Sequence, residues 1–179
     1  QMSDGTPHSE IPDVLQPLLE KSLERLQQHE EWPKIIGRDA RVGSALNRVL
    51  ASSEYVTDVL ARYPQALADI IADGRIHRAL EPGELEPVFL AAFVDKETDE
   101  EFMRRLRLFR HRELMRIAWR DIAGWSDCPE TLRELSALAD TCIRAAFLRS
   151  NREMKNRYGR PVDENGELAN FIIVAMGKL

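Results

Sequence analysis

LRLFRHRELMRIAWRD, residues 106–121, is the stretch whose reading decides the fold. It is rich in arginine, holds one histidine and has only two acids, on a segment whose apolar residues recur at helical spacing. On a wheel of 3.6 residues per turn, Phe102, Leu106, Phe109, Leu114 and Ile117 make one broad apolar side. Arg105, Arg112, Arg116 and Arg120 fall on another side, where water is expected to reach them. Arg110, Glu113 and Asp121 project from the apolar side instead. A charge there must find a partner, because burying it alone costs far more than a helix repays. Arg110 and Glu113 are three apart and can meet on the helix surface. Asp121 needs a partner from elsewhere.

Outward from this helix, the same periodicity repeats in both directions. Val14, Leu15, Leu18, Leu19, Leu23 and Leu26 predict a helix ending before Pro33. Ala40–Ala51 predicts a second, with Val42, Leu46, Val49 and Leu50 inward. Ser52 or Ser53 caps the next, and Pro64 opens a short one that Gly74 closes. Leu85, Val88, Phe89 and Phe93 predict another. Thr98 or Asp99 caps the arginine helix, which stops near Gly124. Asp127-Cys128-Pro129-Glu130 has the pattern of a capping box, with proline in the first turn. Leu132, Leu135, Leu138, Ala139, Cys142, Ala146 and Phe147 continue that last helix toward Tyr158, where Gly159 and Pro161 end it. Six to eight helices on short connections predict an all-α bundle over residues 13–160, after a disordered tail at residues 1–12.

Composition sets limits around this reading. The chain has 179 residues, 44% of them apolar and 31% charged, as in an ordinary soluble domain. No run of about 18 apolar residues exists to span a membrane, and no basic region followed by an apolar core marks a signal peptide. Cys128 and Cys142 lie on one expected helix roughly 21 Å apart along its axis, too far to bridge. A reduced, cytoplasmic chain is the expectation. The net charge of −5 hides an asymmetry: residues 1–100 carry 10 basic and 19 acidic side chains, residues 101–179 carry 15 and 11.

The chemistry-bearing residues form few patterns. His8, His29, His77 and His111 sit at no mutual metal spacing, and no Cys-x-x-Cys exists, so no zinc site is expected. No nucleophile, base and acid stand at a spacing that assembles a triad. The arginines admit three readings: a solvated helix face, an interdomain or partner surface, or a nucleic-acid site. The acidic total and the lack of interleaved exposed aromatics argue against nucleic acid. Under the second reading, Arg105, Arg112, Arg116, Arg120 and Trp119 form the partner surface, with Trp119 stacking Arg112 or Arg116. Arg110, Glu113 and Asp121 then lock the helix to a neighbouring domain.

The last twenty residues change character. PVDENGEL, residues 161–168, is polar and turn-rich, a linker. Phe171-Ile172-Ile173-Val174 is a β-branched run that reads as a buried strand. A lone strand leaves its backbone groups without partners, so the chain is expected to end just inside a second, α/β domain. Gly177-Lys178 follows that strand as a phosphate-binding turn would, but the P-loop pattern is missing and spacing alone supports only a structural turn.

FRHRELMRIAWRDIAGWSDCPETLRELSALADTCI (109–143) and RPVDENGELANFIIVAMGKL (160–179) resemble the bifunctional glutamine synthetase adenylyltransferase/adenylyl-removing enzymes. RVLASSEYVTDVLARYP (48–64) resembles the early helical region of the same family, so the likeness covers roughly residues 38–179. It implies that 161–179 is a linker and the first strand of a truncated nucleotidyltransferase domain, in the N-terminal, adenylyl-removing half. The family's motif continues to Gly-Gly and then Asp-x-Asp, which this sequence lacks, so no catalytic residue is expected here and the chain alone should be inactive. The likeness implies that Gly177 and Lys178 border the nucleotide site. Ala175 stands where the family usually has glycine, which bears on a close backbone approach to phosphate. For the intact enzyme it implies removal of AMP from a glutamine synthetase tyrosine by phosphorolysis, giving ADP, and addition of AMP from ATP. Magnesium, ATP, ADP and phosphate are implied there, with none bound to this chain. Implied partners are glutamine synthetase, a PII-type signal protein and the remaining catalytic domains of the same chain. The alternative is a free-standing helical interaction module without catalysis.

Overall fold

The structure is a computed structural model and describes residues 11–91, 97–169 and 171–174. Among the described residues it is all-α, with eight helices and two 3-10 turns, Asp13–Leu15 and Arg75–His77. The helices are α1 (Gln16–Gln27), α2 (Trp32–Ile36), α3 (Ala40–Ser52), α4 (Glu54–Arg62), α5 (Pro64–Ala72), α6 (Leu85–Ala91), α7 (Asp99–Ile122) and α8 (Cys128–Tyr158).

Local chemistry sets most boundaries. Pro17 lies in the first turn of α1, where its missing N–H would have no helical acceptor anyway. Asp39 caps α3, its Oδ1 accepting from the Val42 N–H at 3.0 Å. Ser53 ends α3 and caps α4, accepting from Val56 at 3.2 Å. Thr98 and Glu101 form a reciprocal box at the start of α7: Thr98 N–H donates to Glu101 Oε2 (2.7 Å) and Glu101 N–H to Thr98 Oγ1 (3.2 Å). At the other end, Trp125 N–H donates to Arg120 O (2.8 Å) and Gly124 N–H to Asp121 O (3.0 Å). That is a Schellman ending, and it needs the left-handed φ of 72° that Gly124 adopts without strain. The expected capping box at Asp127–Glu130 is half made. Asp127 Oδ1 accepts from the Glu130 N–H (2.7 Å), but the Glu130 carboxylate turns to Arg120 instead.

The chain divides into two compact units, and both α7 and α8 run from one into the other. The first unit holds the described residues of Gln1–Ala79 and His111–Thr131. Its core takes Leu26 from α1, Val42 and Val49 from α3, Leu60 from α4, Leu67 and Ile70 from α5, and Met115 and Trp119 from α7. Each fully buried aliphatic side chain there contributes about 1.5–3 kcal/mol.

The second unit holds the described residues of Leu80–Arg110 and Leu132–Leu179. Phe89 on α6 meets Phe102 and Phe109 on α7 edge-on, at 6.1 and 5.1 Å between ring centres. Leu85 and Leu138 are also buried, while Leu132, which opens the periodic apolar series of the last helix, is exposed. Residues 161–168, expected as a turn-rich linker, lie in a hairpin around an isolated bridge from Val162 to Leu168. Phe171–Val174, expected as a buried strand, lies exposed and in no strand. A strand needs a neighbour for its backbone groups, and none of the described residues supplies one.

Candidate functional site: a buried ion-pair joint on α7

The charges singled out in α7 separate into three groups, and the wheel placed several of them wrongly. Arg116 and Arg120, expected in water, are buried, and Arg105 and Arg112 are half-buried. Arg110 and Asp121, expected on the apolar side, are exposed. Glu113 is fully buried, as its position implied, but Arg110 is not what meets it. A wheel assigns one side of a helix to water; here Glu113 within the helix, Glu97 and Glu130 just beyond its ends and the Ile76 carbonyl take up those arginines.

Glu113 is the hub. Arg75 Nη1 donates to Glu113 Oε1 at 2.5 Å, and Arg116 Nε donates to Glu113 Oε2 at 3.0 Å. Arg112 Nε stands 3.4 Å from Glu113 Oε1. Arg75 is also held by Asp73: its backbone N–H donates to Oδ1 (3.0 Å) and its Nε to Oδ2 (2.7 Å). Burial pulls the Arg75 guanidinium down, but the bonds to Asp73 and the Glu113 charge outweigh it and hold it above its ordinary value. The Arg75 guanidinium is therefore held in its charged form although nearly dry.

Arg120, one turn further along, grips the same 3-10 turn. Its Nη1 donates to Ile76 O at 2.9 Å, and its Nη2 to Glu130 Oε1 at 2.5 Å and to Trp125 O at 3.3 Å. The third residue of the turn, His77, reaches α3: its Nε2 lies 2.6 Å from Asp39 Oδ2. Its ring sits 6.0 Å from that of Trp125, over which the Arg41 guanidinium lies at 4.2 Å. Burial raises the Asp39 carboxyl, but the Val42 N–H and His77 outweigh it and leave it below its ordinary value. Residues 75, 76 and 77 are thus each tied to another element of the first unit. The arrangement locks a turn; it presents no nucleophile with a base beside it.

Trp119, expected at a partner surface, is buried in the core. Its Nε1, with Arg112 Nε and Arg120 Nε, is buried without a hydrogen-bond acceptor among the described residues. Asp121 accepts from Thr131 Oγ1 at 3.1 Å, a partner from beyond the helix. In the second unit, Arg105 donates through Nε and Nη2 to the Glu97 carboxylate (2.9 Å each) and through Nη1 to Phe89 O (3.1 Å), with its guanidinium 4.2 Å over the Phe89 ring. Gly177, Lys178 and Ala175 lie outside the described residues. The sequence reading missed Asp73 and Arg75, and gave Glu130 a capping role in place of its pair with Arg120. The signal available was an arginine flanked by acid in Asp73-Gly74-Arg75, near a helix with more cations than local acids.

No three His, Cys, Asp or Glu side chains among the described residues could hold a metal ion, so those residues do not fit magnesium. Cys128 and Cys142 are free thiols, and burial pushes Cys142 up. No described helix is long and apolar enough to cross a membrane.

Fold and site together define a class: a helical domain whose buried charges serve architecture. The chain belongs to the glutamate-ammonia ligase adenylyltransferase family, whose model matches residues 43–179. It is similar to the bifunctional glutamine synthetase adenylyltransferase/adenylyl-removing enzyme of Thioalkalivibrio sulfidiphilus, 33% identical over 177 residues, covering 94% of this chain and 17% of the relative. The enzymes of the same name from Pseudomonas syringae pv. tomato and Pseudomonas aeruginosa are each 35% identical, over 90% and 86% of this chain and 16% and 15% of their own lengths. The chain thus spans about a sixth of the relatives it matches. No solved structure matches it.

Proposed function

We propose that this chain is the helical support region of a two-activity enzyme that removes AMP from a glutamine synthetase tyrosine and adds it back. The observation that carries the reading is the coverage: the relative from Thioalkalivibrio sulfidiphilus matches nearly all of this chain while most of its own length lies outside the match. In the removal reaction, phosphate attacks the phosphorus of the tyrosyl adenylate, the bond to the tyrosine oxygen breaks, and ADP leaves with tyrosine restored. Magnesium, ATP and ADP belong to that chemistry. The carboxylates that would hold the metal belong to the nucleotidyltransferase part, which Phe171–Val174 would enter as a strand, with Gly177 and Lys178 at the nucleotide's border. Within this chain, α7 and its ion pairs hold the bundle that carries this part. Glutamine synthetase, a PII-type signal protein and the other domains are the partners under this reading, in the cytoplasm.

A second reading, a protein-interaction module, draws on Arg104, Arg107 and Arg110. These three arginines of α7 are exposed and make no ion pair among the described residues, unlike Arg105, Arg112, Arg116 and Arg120.

One assay tests the first reading. Purified chain mixed with adenylylated glutamine synthetase, phosphate and magnesium should release no ADP. Release of ADP by this chain alone would overturn the assignment of a purely supporting role.

A further inference from the structure

We propose that the 161–169 hairpin and the Phe147–Phe171 ring stack form a clip that fixes where Phe171–Val174 leaves α8. Phe147 and Phe171 are then positioning residues for the domain that run enters. The inference rests on the reading above for its functional part, while its structural part stands independently.

The last turns of α8 offer the chain nothing to pack on: residues 152–160 are all exposed. A free ten-residue linker from that end would let the apolar run wander over roughly 17 Å root-mean-square. The segment is closed instead. Asp163 N–H donates to Glu167 O (2.8 Å), Gly166 N–H to Asp163 O (3.1 Å) and Ala169 N–H to Pro161 O (3.1 Å). Asp163 Oδ1 accepts from the N–H groups of Asn165 and Glu167, both at 2.9 Å. Gly166, at φ 83°, supplies the left-handed residue that a three-residue hairpin loop requires.

Beyond the hairpin, the Phe171 ring lies parallel to that of Phe147, 14° between planes and 5.6 Å between centres. Phe147 is about three turns back from the end of α8. The chain has therefore reversed and brought the Phe171 ring back to the helix it came from. Phe171, Ile172 and Val174 are more than 70% exposed, which suits residues that another domain covers.

Two measurements test this. In the 179-residue chain, hydrogen exchange should find the Glu167 and Ala169 amides protected, and Phe171→Ala should speed their exchange by about two- to tenfold. Exchange at unstructured rates in the unaltered chain, or no response to Phe171→Ala, would overturn the clip. In the intact enzyme, Phe147→Ala and Phe171→Ala should each lower kcat for AMP removal and leave the KM for phosphate unchanged. Phe147→Tyr, which keeps the stack, should restore kcat, and AMP addition by the other half should not move. Full kcat in Phe171→Ala would defeat the positioning role with the family reading intact. An intact protein without AMP removal would defeat the family reading, and the positioning role with it, while the exchange result would still decide the clip.

Discussion

Glu113 is the residue on which Arg75, Arg112 and Arg116 converge. Two arginines, Arg75 and Arg116, spend hydrogen bonds on it in a place with almost no water. Removing one member of such a group leaves an uncompensated buried charge, a loss of about 3–5 kcal/mol, whereas replacing the pair by apolar residues is often neutral. Glu113→Ala should therefore lower the unfolding free energy by about that amount. Arg75→Met with Glu113→Leu should recover most of it, and denaturant titration of both variants checks the contrast. Asp39 provides a pH test. Its carboxyl is held below the ordinary 3.8 in the folded chain, so its contribution is present above pH 3.8 and is lost as pH falls through the lower folded value. Asp39→Asn keeps a capping oxygen but not the charge facing His77. Its deficit against the unaltered chain should be visible at pH 6 and should shrink toward pH 3; a constant deficit would contradict the linkage.

At the scale of elements, the starts and stops were legible because they rest on contacts three or four residues long. Ser53, Thr98, Asp127, Gly124 and Pro64 each do their work within one turn. What escaped was long-range. Arg75 and Glu113 are 38 residues apart, and Arg120 and Ile76 are 44 apart, so no local pattern pairs them. The wheel of α7 failed for that reason: it sees a polar side but not the acids and carbonyls that cover it. The linker was readable as turn-rich, but that Asp163 and Gly166 close one hairpin shows only once a pair such as Val162 and Leu168 is recognised. Two predictions belong here. Gly124→Ala should cost about 1–2 kcal/mol by forcing a side chain into left-handed backbone, measured by thermal unfolding. Arg112→Glu with Arg116→Glu should unfold the first unit, while Arg104→Glu with Arg107→Glu should leave the far-ultraviolet circular dichroism unchanged. If both doubles fold alike, the buried network is not what holds α7.

At the scale of the whole molecule, the helical class followed from periodicity, and the resemblance carried by residues 109–143 and 160–179 agrees with the family match over 43–179. The chemistry was not legible from spacing, because no metal-ligand spacing, triad or P-loop pattern stands in this sequence. Its apolar exit at Phe171–Val174 and its share of the relatives' length both direct attention downstream. The most direct measurement of that account is to read the coding sequence beyond codon 179. The account predicts that it continues into Gly-Gly and, some residues later, an Asp-x-Asp. A stop codon immediately after Leu179 would contradict it and leave the helical module to be explained by what it binds.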